Sequence, residues 1–314
     1  MRDSQASNSP TSCKFSTGVV LRRTRSFYYV DLGPAESRLC RIRGNLFQDN
    51  ASEARIAVGD VVEVEPDAAE DAGWICEVHP RHSRLARRSR EGLPEQTLVA
   101  NAEQLLIVAA LKRPEFRHGV VDRLIVAGLD GGLTPVLVLN KTDLGETQET
   151  ATIRKLYTGL GYSVLLTSAT KPSGLETLHA CLRKRTSVLA GHSGVGKSSL
   201  VKALYPDWEI RVGAVNQKRG KGRHTTTMAE MFRLPEGGYL VDTPGIRELE
   251  PLGVTRKTLD QHFVEFAPLW TQCRFASCSH RHEPDCAVQQ GVAEGAISAV
   301  RYRSYVAFWE SLES

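Results

Sequence analysis

The chain has 314 residues, 41% of them hydrophobic, with a formal net charge of +4. That length supports two or three domains with cores of their own, and so mild a charge does not by itself predict a nucleic-acid partner. The longest apolar stretch, around Leu105–Leu111, is too short to span a bilayer, so no membrane association is expected.

The first fourteen residues are polar and read as a disordered tail. Residues 15–92 then show short strands at Gly18–Leu21, Phe27–Asp31, Leu39–Arg43, Val61–Glu65 and Trp74–His79, broken at Gly33-Pro34, Gly59-Asp60 and Gly73. Five short strands in this length suit a small closed barrel, with an OB-fold favoured over an SH3-like barrel. Arginines cluster here at 22, 23 and 25, at 38, 41 and 43, and at 81, 84, 87, 88 and 90. They tilt the reading toward a phosphate-rich partner. Phe27, Tyr28 and Tyr29 offer stacking rings, although strand alternation puts at least one of them in the core.

From residue 93 to 250 the pattern becomes α/β. A strand at Gln104–Ala109 precedes a helix near Val120–Leu129, and a strand at Pro135–Leu139 precedes a helix near Ile153–Gly159. A strand at Ser163–Thr167, a helix near Leu175–Leu182, a strand at Thr186–Ala190 and a helix beginning at Ser199–Tyr205 follow. This alternation predicts a mostly parallel sheet covered on both faces. Residues 251–314 read as mostly helical, near Lys257–Ala267 and Glu294–Leu312, around a Cys/His cluster.

The strand at Thr186–Ala190 runs into G-H-S-G-V-G-K-S, Gly191–Ser198, and then into a helix that starts with Ser199. Strand, glycine-rich loop and helix together are the setting of a phosphate loop. Backbone N–H groups of Gly191, His192, Ser193, Gly194, Val195 and Gly196 can converge on a β-phosphate. Lys197 is placed to reach the β- and γ-phosphates, and the Ser198 hydroxyl to ligate Mg²⁺.

The strand at Pro135–Leu139 ends in N-K-T-D, Asn140, Lys141, Thr142 and Asp143. A carboxylate at Asp143 can accept from both the ring N–H and the exocyclic amine of guanine, a pair adenine does not offer. Asn140 and Lys141 would brace the loop, and Ser168 and Ala169, at the end of the next strand, would supply a backbone contact to the base.

Asp242 ends a strand at Tyr239–Val241 and opens D-T-P-G, with Asp242 a second Mg²⁺ group and Gly245 a sensor of the γ-phosphate. Lys218–Thr227 lies where a first switch belongs, and one of Thr225, Thr226 and Thr227 would complete the Mg²⁺ shell. Ile246 stands where a water-orienting glutamine would be expected, which leaves His224 as the candidate orienter. The guanine box precedes the phosphate loop, so the parts of a GTPase are present in circularly permuted order.

Seven cysteines make an odd number, and four stand apart. In a cytoplasmic, reducing setting a cysteine cluster is read as metal ligands before disulfides. Cys273, Cys278, His280 and Cys286 form C-x4-C-x-H-x5-C, three thiolates and an imidazole, which is a closed tetrahedral set for one structural zinc. His282 is a spare donor.

The chain resembles the ribosome-small-subunit-dependent GTPases, the RsgA family. The likeness runs through G-V-V-L, R-G-N-L, A-N-A-E-Q-L-L-I-V, N-K-T-D-L, G-H-S-G-V-G-K-S-S-L, G-R-H-T-T-T, D-T-P-G-I-R-E and H-E-P-D-C-A-V. It implies an N-terminal OB domain that binds RNA, a central permuted GTPase and a C-terminal zinc domain, in a cytoplasmic monomer. It also implies GTP hydrolysis stimulated by the 30S subunit, contact with 16S rRNA in late maturation, and release on hydrolysis. His192 and Asp285 depart from the family pattern. Asp tolerates a left-handed turn, so the metal knuckle is expected to persist. An RNA-binding scaffold with a vestigial GTPase, and a metal-trafficking GTPase, are the alternatives.

Overall fold

In the computed structural model, residues 15–24, 26–34, 36–43, 56–67, 72–87, 96–145, 147–171, 173–208, 229–242, 251 and 253–312 are described. The expected tail 1–14, the Lys218–Thr227 segment with His224 and Thr225, and Gly245 with Ile246 lie outside those residues, as do Arg25, Arg88 and Arg90.

The barrel is built from β1 (Ser16–Arg23), β2 (Tyr28–Gly33), β3 (Glu36–Ile42), β4 (Val61–Pro66) and β5 (Ala72–Val78). β1 pairs with both β2 and β4, and β5 pairs with β4 and, in parallel, with β3. The order β1-β2-β3-β5-β4 thus closes back on β1, which is the OB arrangement rather than the SH3-like one. Alternation does the sorting: Val62 and Val64 of V-V-E-V-E-P turn inward while Glu63 and Glu65 turn out. Val20, Val30, Cys40 and Ile75 complete the core with them. Tyr28 is the buried ring of the aromatic triplet, and Phe27 and Tyr29 remain partly exposed.

A two-stranded sheet of β6 (Arg84–Arg87) and β7 (Gln96–Ala100) follows the barrel. The α/β unit then comprises β8 (Gln104–Ala110), α1 (His118–Asp130), β9 (Thr134–Asn140), α2 (Gln148–Gly159), β10 (Ser163–Leu166) and α3 (Leu175–Leu182). It continues with β11 (Arg185–Ala190), α4 (Lys197–Leu204), β12 (Glu230–Arg233) and β13 (Gly238–Asp242). Its strands stand in the order β10-β9-β8-β11-β13-β12, parallel except for β12. Every residue of β8 is buried, as a central strand covered on both faces requires. The buried polar head of that strand is satisfied, since Gln104 Nε2 donates to Cys181 O at 2.9 Å and to Ser187 Oγ at 2.7 Å.

Strand β12, absent from the sequence expectation, joins barrel and GTPase sheet by pairing Glu230 with Arg22 of β1. Buried Asp31 of the barrel reinforces the junction, accepting from Arg233 Nη1 at 2.9 and 3.0 Å and from Tyr239 Oη at 2.9 Å.

The C-terminal region differs from the expectation in two places. The helix anticipated near Lys257–Ala267 is a short 3-10 turn, Leu259–His262, followed by further i→i+3 turns. The apolar spacing is helical, but the chain is tightened to bury Leu259, Phe263 and Phe266 together. The helix anticipated near Glu294–Leu312 is α6 (Ala299–Ser311), which starts five residues later. A separate helix absent from the expectation, α5 (Ala287–Ala293), precedes it and ends where Gly295 adopts φ +79°. Among the described residues no helix is long and apolar enough to cross a membrane.

Candidate functional site

Both nucleotide motifs sit at the C-terminal edge of the parallel sheet, where ligands of open α/β sheets bind. β8 separates β9, which ends in Asn140, from β11, which feeds the glycine loop. Side chains of the guanine box close that gap. Asn140 Nδ2 donates to Val195 O at 2.8 Å, and Thr167 Oγ1 donates to Asn140 Oδ1 at 3.2 Å. Lys141, in the left-handed region at φ +66°, donates from Nζ to Gly194 O at 2.6 Å and to Arg113 O. The N-K-T-D box and the glycine loop are therefore one braced unit, 55 residues apart along the chain at the Asn140 contact.

Asp143 is partly exposed, with one oxygen accepting from Ser168 Oγ at 2.6 Å. The hydroxyls of Ser168 and Thr170 hold its carboxyl below the usual carboxylate range, so it is an acceptor at neutral pH. Ser168 itself is buried, and its Oγ also receives Lys171 N at 3.1 Å. The sequence reading gave Ser168 a backbone role only. Its side chain also holds the Asp143 carboxylate, a contact foreshadowed by the run of hydroxyls in T-S-A-T.

The phosphate loop has φ of +140°, +81° and +98° at Gly191, Gly194 and Gly196. A Cβ on Gly196 would overlap the Asn140 amide, and one on Gly191 would overlap Val108 O. α4 begins at Lys197, so the N–H groups of its first turn point toward the loop. Lys197 Nζ donates to Gly191 O at 2.7 Å and to His192 O at 3.1 Å, so it lies folded over the loop. Ser193 and Ser199 flank that lysine in the loop and first helical turn. Ser198 follows in the helix, and Asp242, opposite Leu189 in the β11–β13 register, ends the neighbouring strand. A hydroxyl and a carboxylate are hard oxygen donors suited to Mg²⁺. Beside the loop a small apolar recess runs between β8 and α1, lined by Phe116, Val120, Val121, Leu124 and Val195.

The second cluster gathers Cys273, Cys278, His280 and Cys286, with all four ligand atoms within 4.8 Å of one another. His280 Nδ1 lies 3.4 Å from Cys286 Sγ and 3.6 Å from Cys273 Sγ, and those two sulfurs are 3.9 Å apart. A zinc tetrahedron has edges of roughly 3.6 Å between N and S and about 3.8 Å between sulfurs. The donor set therefore fits one zinc ion. His282 is exposed and outside the cluster.

The knuckle is shaped locally. His280 and Asp285 both adopt φ +57°, and Glu283 accepts backbone N–H bonds from Ser279 at 2.8 Å and Arg281 at 3.1 Å. Burial pushes the Cys278 thiol up to about 12, with the Cys286 and Cys273 sulfurs adding to it. Burial also acts to raise Cys286, but the backbone at Gln289 and the His280 side chain outweigh it and lower that thiol. A divalent cation at the centre would settle this competition by deprotonating all three.

Comparison with known proteins agrees with this geometry. Residues 78–251 match the family model described as RsgA GTPase. The chain is 40% identical over 305 residues to the small ribosomal subunit biogenesis GTPase RsgA of Chlorobaculum parvum, covering 95% of this chain and 98% of that one. It is 41% identical over 293 residues to the protein of the same name from Moorella thermoacetica, covering 93% and 95%. Among solved structures it is similar to YjeQ from Thermotoga maritima, with 34% identity, a TM-score of 0.78, and 95% and 99% of the two chains covered. It is also similar to YloQ, described as a circularly permuted GTPase, with 29% identity, a TM-score of 0.73 and 96% of each chain covered. With an OB-type barrel, a permuted GTPase sheet and a Cys3His cluster on one chain, this protein is a GTP hydrolase that belongs to the RsgA GTPase family.

Proposed function

We propose that this GTPase acts in late maturation of the small ribosomal subunit in the cytoplasm, as a monomer. In its GTP-bound form it docks on the immature 30S particle and contacts 16S rRNA. The particle stimulates hydrolysis, and conversion to GDP and phosphate releases the protein. The names of its relatives support the ribosomal setting. The observation that carries the nucleotide part is the brace from Asn140 and Lys141 onto Val195 and Gly194, which couples guanine recognition to the phosphate loop.

Residues 15–92 serve as the RNA-binding unit, 93–250 as the GTPase and 251–314 as the zinc unit. On the barrel, the Arg22 guanidinium lies 4.1 Å from the centre of the Tyr29 ring and that of Arg41 lies 5.3 Å from Phe27. Such pairs offer phosphate contacts beside stacking rings. In the site, Asp143 reads guanine, with Asn140, Lys141, Thr142, Ser168 and Ala169 around it. The backbone of Gly191–Gly196, with Ser199, cradles phosphate, and Lys197 neutralises charge that develops on it. Ser198, Asp242 and Thr225 hold Mg²⁺, Gly245 senses the γ-phosphate, and His224 orients the attacking water in place of the missing glutamine. The Mg²⁺ supplies charge stabilisation when it arrives with GTP. Zinc is structural, held by Cys273, Cys278, His280 and Cys286.

Turnover of GTP is measured with and without purified 30S subunits, with ATP as the control and Lys197→Ala as the blank. A slow basal rate that rises by about 10³–10⁵ is the range an external activator supplies. GTP binding without any stimulation by 30S would sink the ribosomal reading and favour an RNA-binding scaffold.

A further inference from the structure

We propose that Asp260 positions His280 for the metal, accepting the Nε2–H of the imidazole so that Nδ1 is the fourth zinc ligand. The inference rests on the zinc reading of the cluster and is independent of the ribosomal one.

The two imidazole nitrogens face different surroundings. Nδ1 points at the sulfurs, 3.4 Å from Cys286 and 3.6 Å from Cys273. Nε2 is buried, makes no hydrogen bond, and faces Asp260 Oδ2 at 3.7 Å. A neutral imidazole that gives Nδ1 to a metal must carry its proton on Nε2, and a buried N–H without an acceptor is costly. Asp260 answers that need, since its other oxygen, Oδ1, is also buried without a hydrogen-bond partner.

A separation of 3.7 Å is ion-pair range, about 0.8 Å longer than a normal N–H···O bond. A small closure as the ring is drawn onto the ion completes the bond. The carboxylate is delivered by the Leu259–His262 turn, whose Leu259 is fully buried beside Phe263. His280 is held from its other side, where its carbonyl accepts from Tyr302 Oη at 2.7 Å and its ring meets Phe266 edge-on at 5.7 Å. A carboxylate behind a metal-bound histidine fixes the ring's tautomer and orientation and raises its basicity.

The test uses the full-length chain and zinc itself. Zinc affinity is measured by competition with a chromophoric chelator for the wild type, Asp260→Asn and Asp260→Ala. The expected loss is about 10–100-fold for the alanine variant and smaller for asparagine, which keeps an acceptor oxygen. Nitrogen NMR of the zinc-loaded wild type should show His280 bound through Nδ1, with a slowly exchanging Nε2 proton that exchanges faster in both variants. Coincident unfolding midpoints at saturating zinc separate positioning from misfolding. If the alanine variant does not fold, proton exchange in Asp260→Asn decides. Wild-type affinity and unchanged exchange in the variants, or coordination through Nε2, would overturn the assignment. A wild type that binds no zinc would instead refute the reading of the cluster on which it rests.

Discussion

Arg301 Nη1 lies 2.6 Å from Asp122 Oδ1, a contact between residues 179 apart in the chain. Arg301 belongs to α6 of the C-terminal region and Asp122 to α1 of the GTPase. The guanidinium is fully buried, and its remaining nitrogens donate to Glu265 at 2.7 and 3.1 Å. Asp122 also accepts from Tyr157 Oη at 2.8 Å, which carries the network on to α2. The segment that carries the Cys/His cluster is thereby fastened to the GTPase sheet by charge as well as by apolar packing.

Removing one partner of that network leaves opposite charge buried and unmatched. Arg301→Ala should cost about 3–5 kcal/mol, read as a lower denaturant midpoint and as earlier protease cleavage within 253–312. Simultaneous replacement of Arg301, Asp122 and Glu265 by apolar residues should cost less than Arg301→Ala alone. Equal midpoints for Arg301→Ala and the wild type would remove the claim that the pair holds the regions together.

Gly196 meets two demands at once, a φ of +98° and space for the Asn140 amide. Gly196→Ala should break the brace between the guanine box and the phosphate loop and weaken GTP binding by about 10–100-fold, the equivalent of roughly 1–3 kcal/mol of backbone strain. Equilibrium binding of a fluorescent GTP analogue checks this. The barrel and zinc cluster should remain folded by circular dichroism and metal content.

His118 caps the Tyr157 end of the buried network, with its Nδ1 3.2 Å from Tyr157 Oη. Burial lowers its pKa from 6.5, with Arg301 and Arg303 adding to that, against the opposing pull of Asp122 and Glu149. The folded state thus favours the neutral ring. Its contribution to stability is complete above the unfolded value near 6.5 and is lost as pH falls from there through the lower folded value. Denaturant midpoints between pH 7.5 and pH 5 should fall more steeply for the wild type than for His118→Asn. Parallel slopes would contradict the assignment.

Stripping zinc, or replacing Cys286 by Ser, should unfold the knuckle rather than the whole chain. Tyr302 and Tyr305 donate to the carbonyls of His280 and Ser279 at 2.7 and 2.9 Å, so α6 loses its anchor when the loop opens. Metal analysis should give one zinc per chain before treatment and close to none in Cys286→Ser. GTP affinity should change by less than about threefold, because no knuckle residue is part of the Asn140 brace. A collapse of GTP binding would show the two regions to be one cooperative unit.

The parts of the nucleotide site were legible because their chemistry is local. N-K-T-D and G-H-S-G-V-G-K-S each need a strand end, a turn of set length and a helix start, all within a dozen residues. The same holds for the three cysteines and His280, and for the alternation of V-V-E-V-E-P in the barrel. Local spacing failed where packing overrode it, as at Leu259–His262, where apolar residues at helical spacing are held in tighter turns.

The sequence by itself determined the permuted order of the motifs, the donor types at the metal cluster and the succession of barrel, α/β sheet and C-terminal region. Only the tertiary structure decided that Lys141 reaches the carbonyls of Gly194 and Arg113, that Asp31 of the barrel takes Arg233 and Tyr239, and that Arg301 closes on Asp122 and Glu265. The physical reason is distance along the chain. A motif is a constraint within one turn or loop and leaves its mark on neighbouring residue types. A contact across 179 or 208 residues forms when independently folded elements meet, and no stretch of sequence records that meeting.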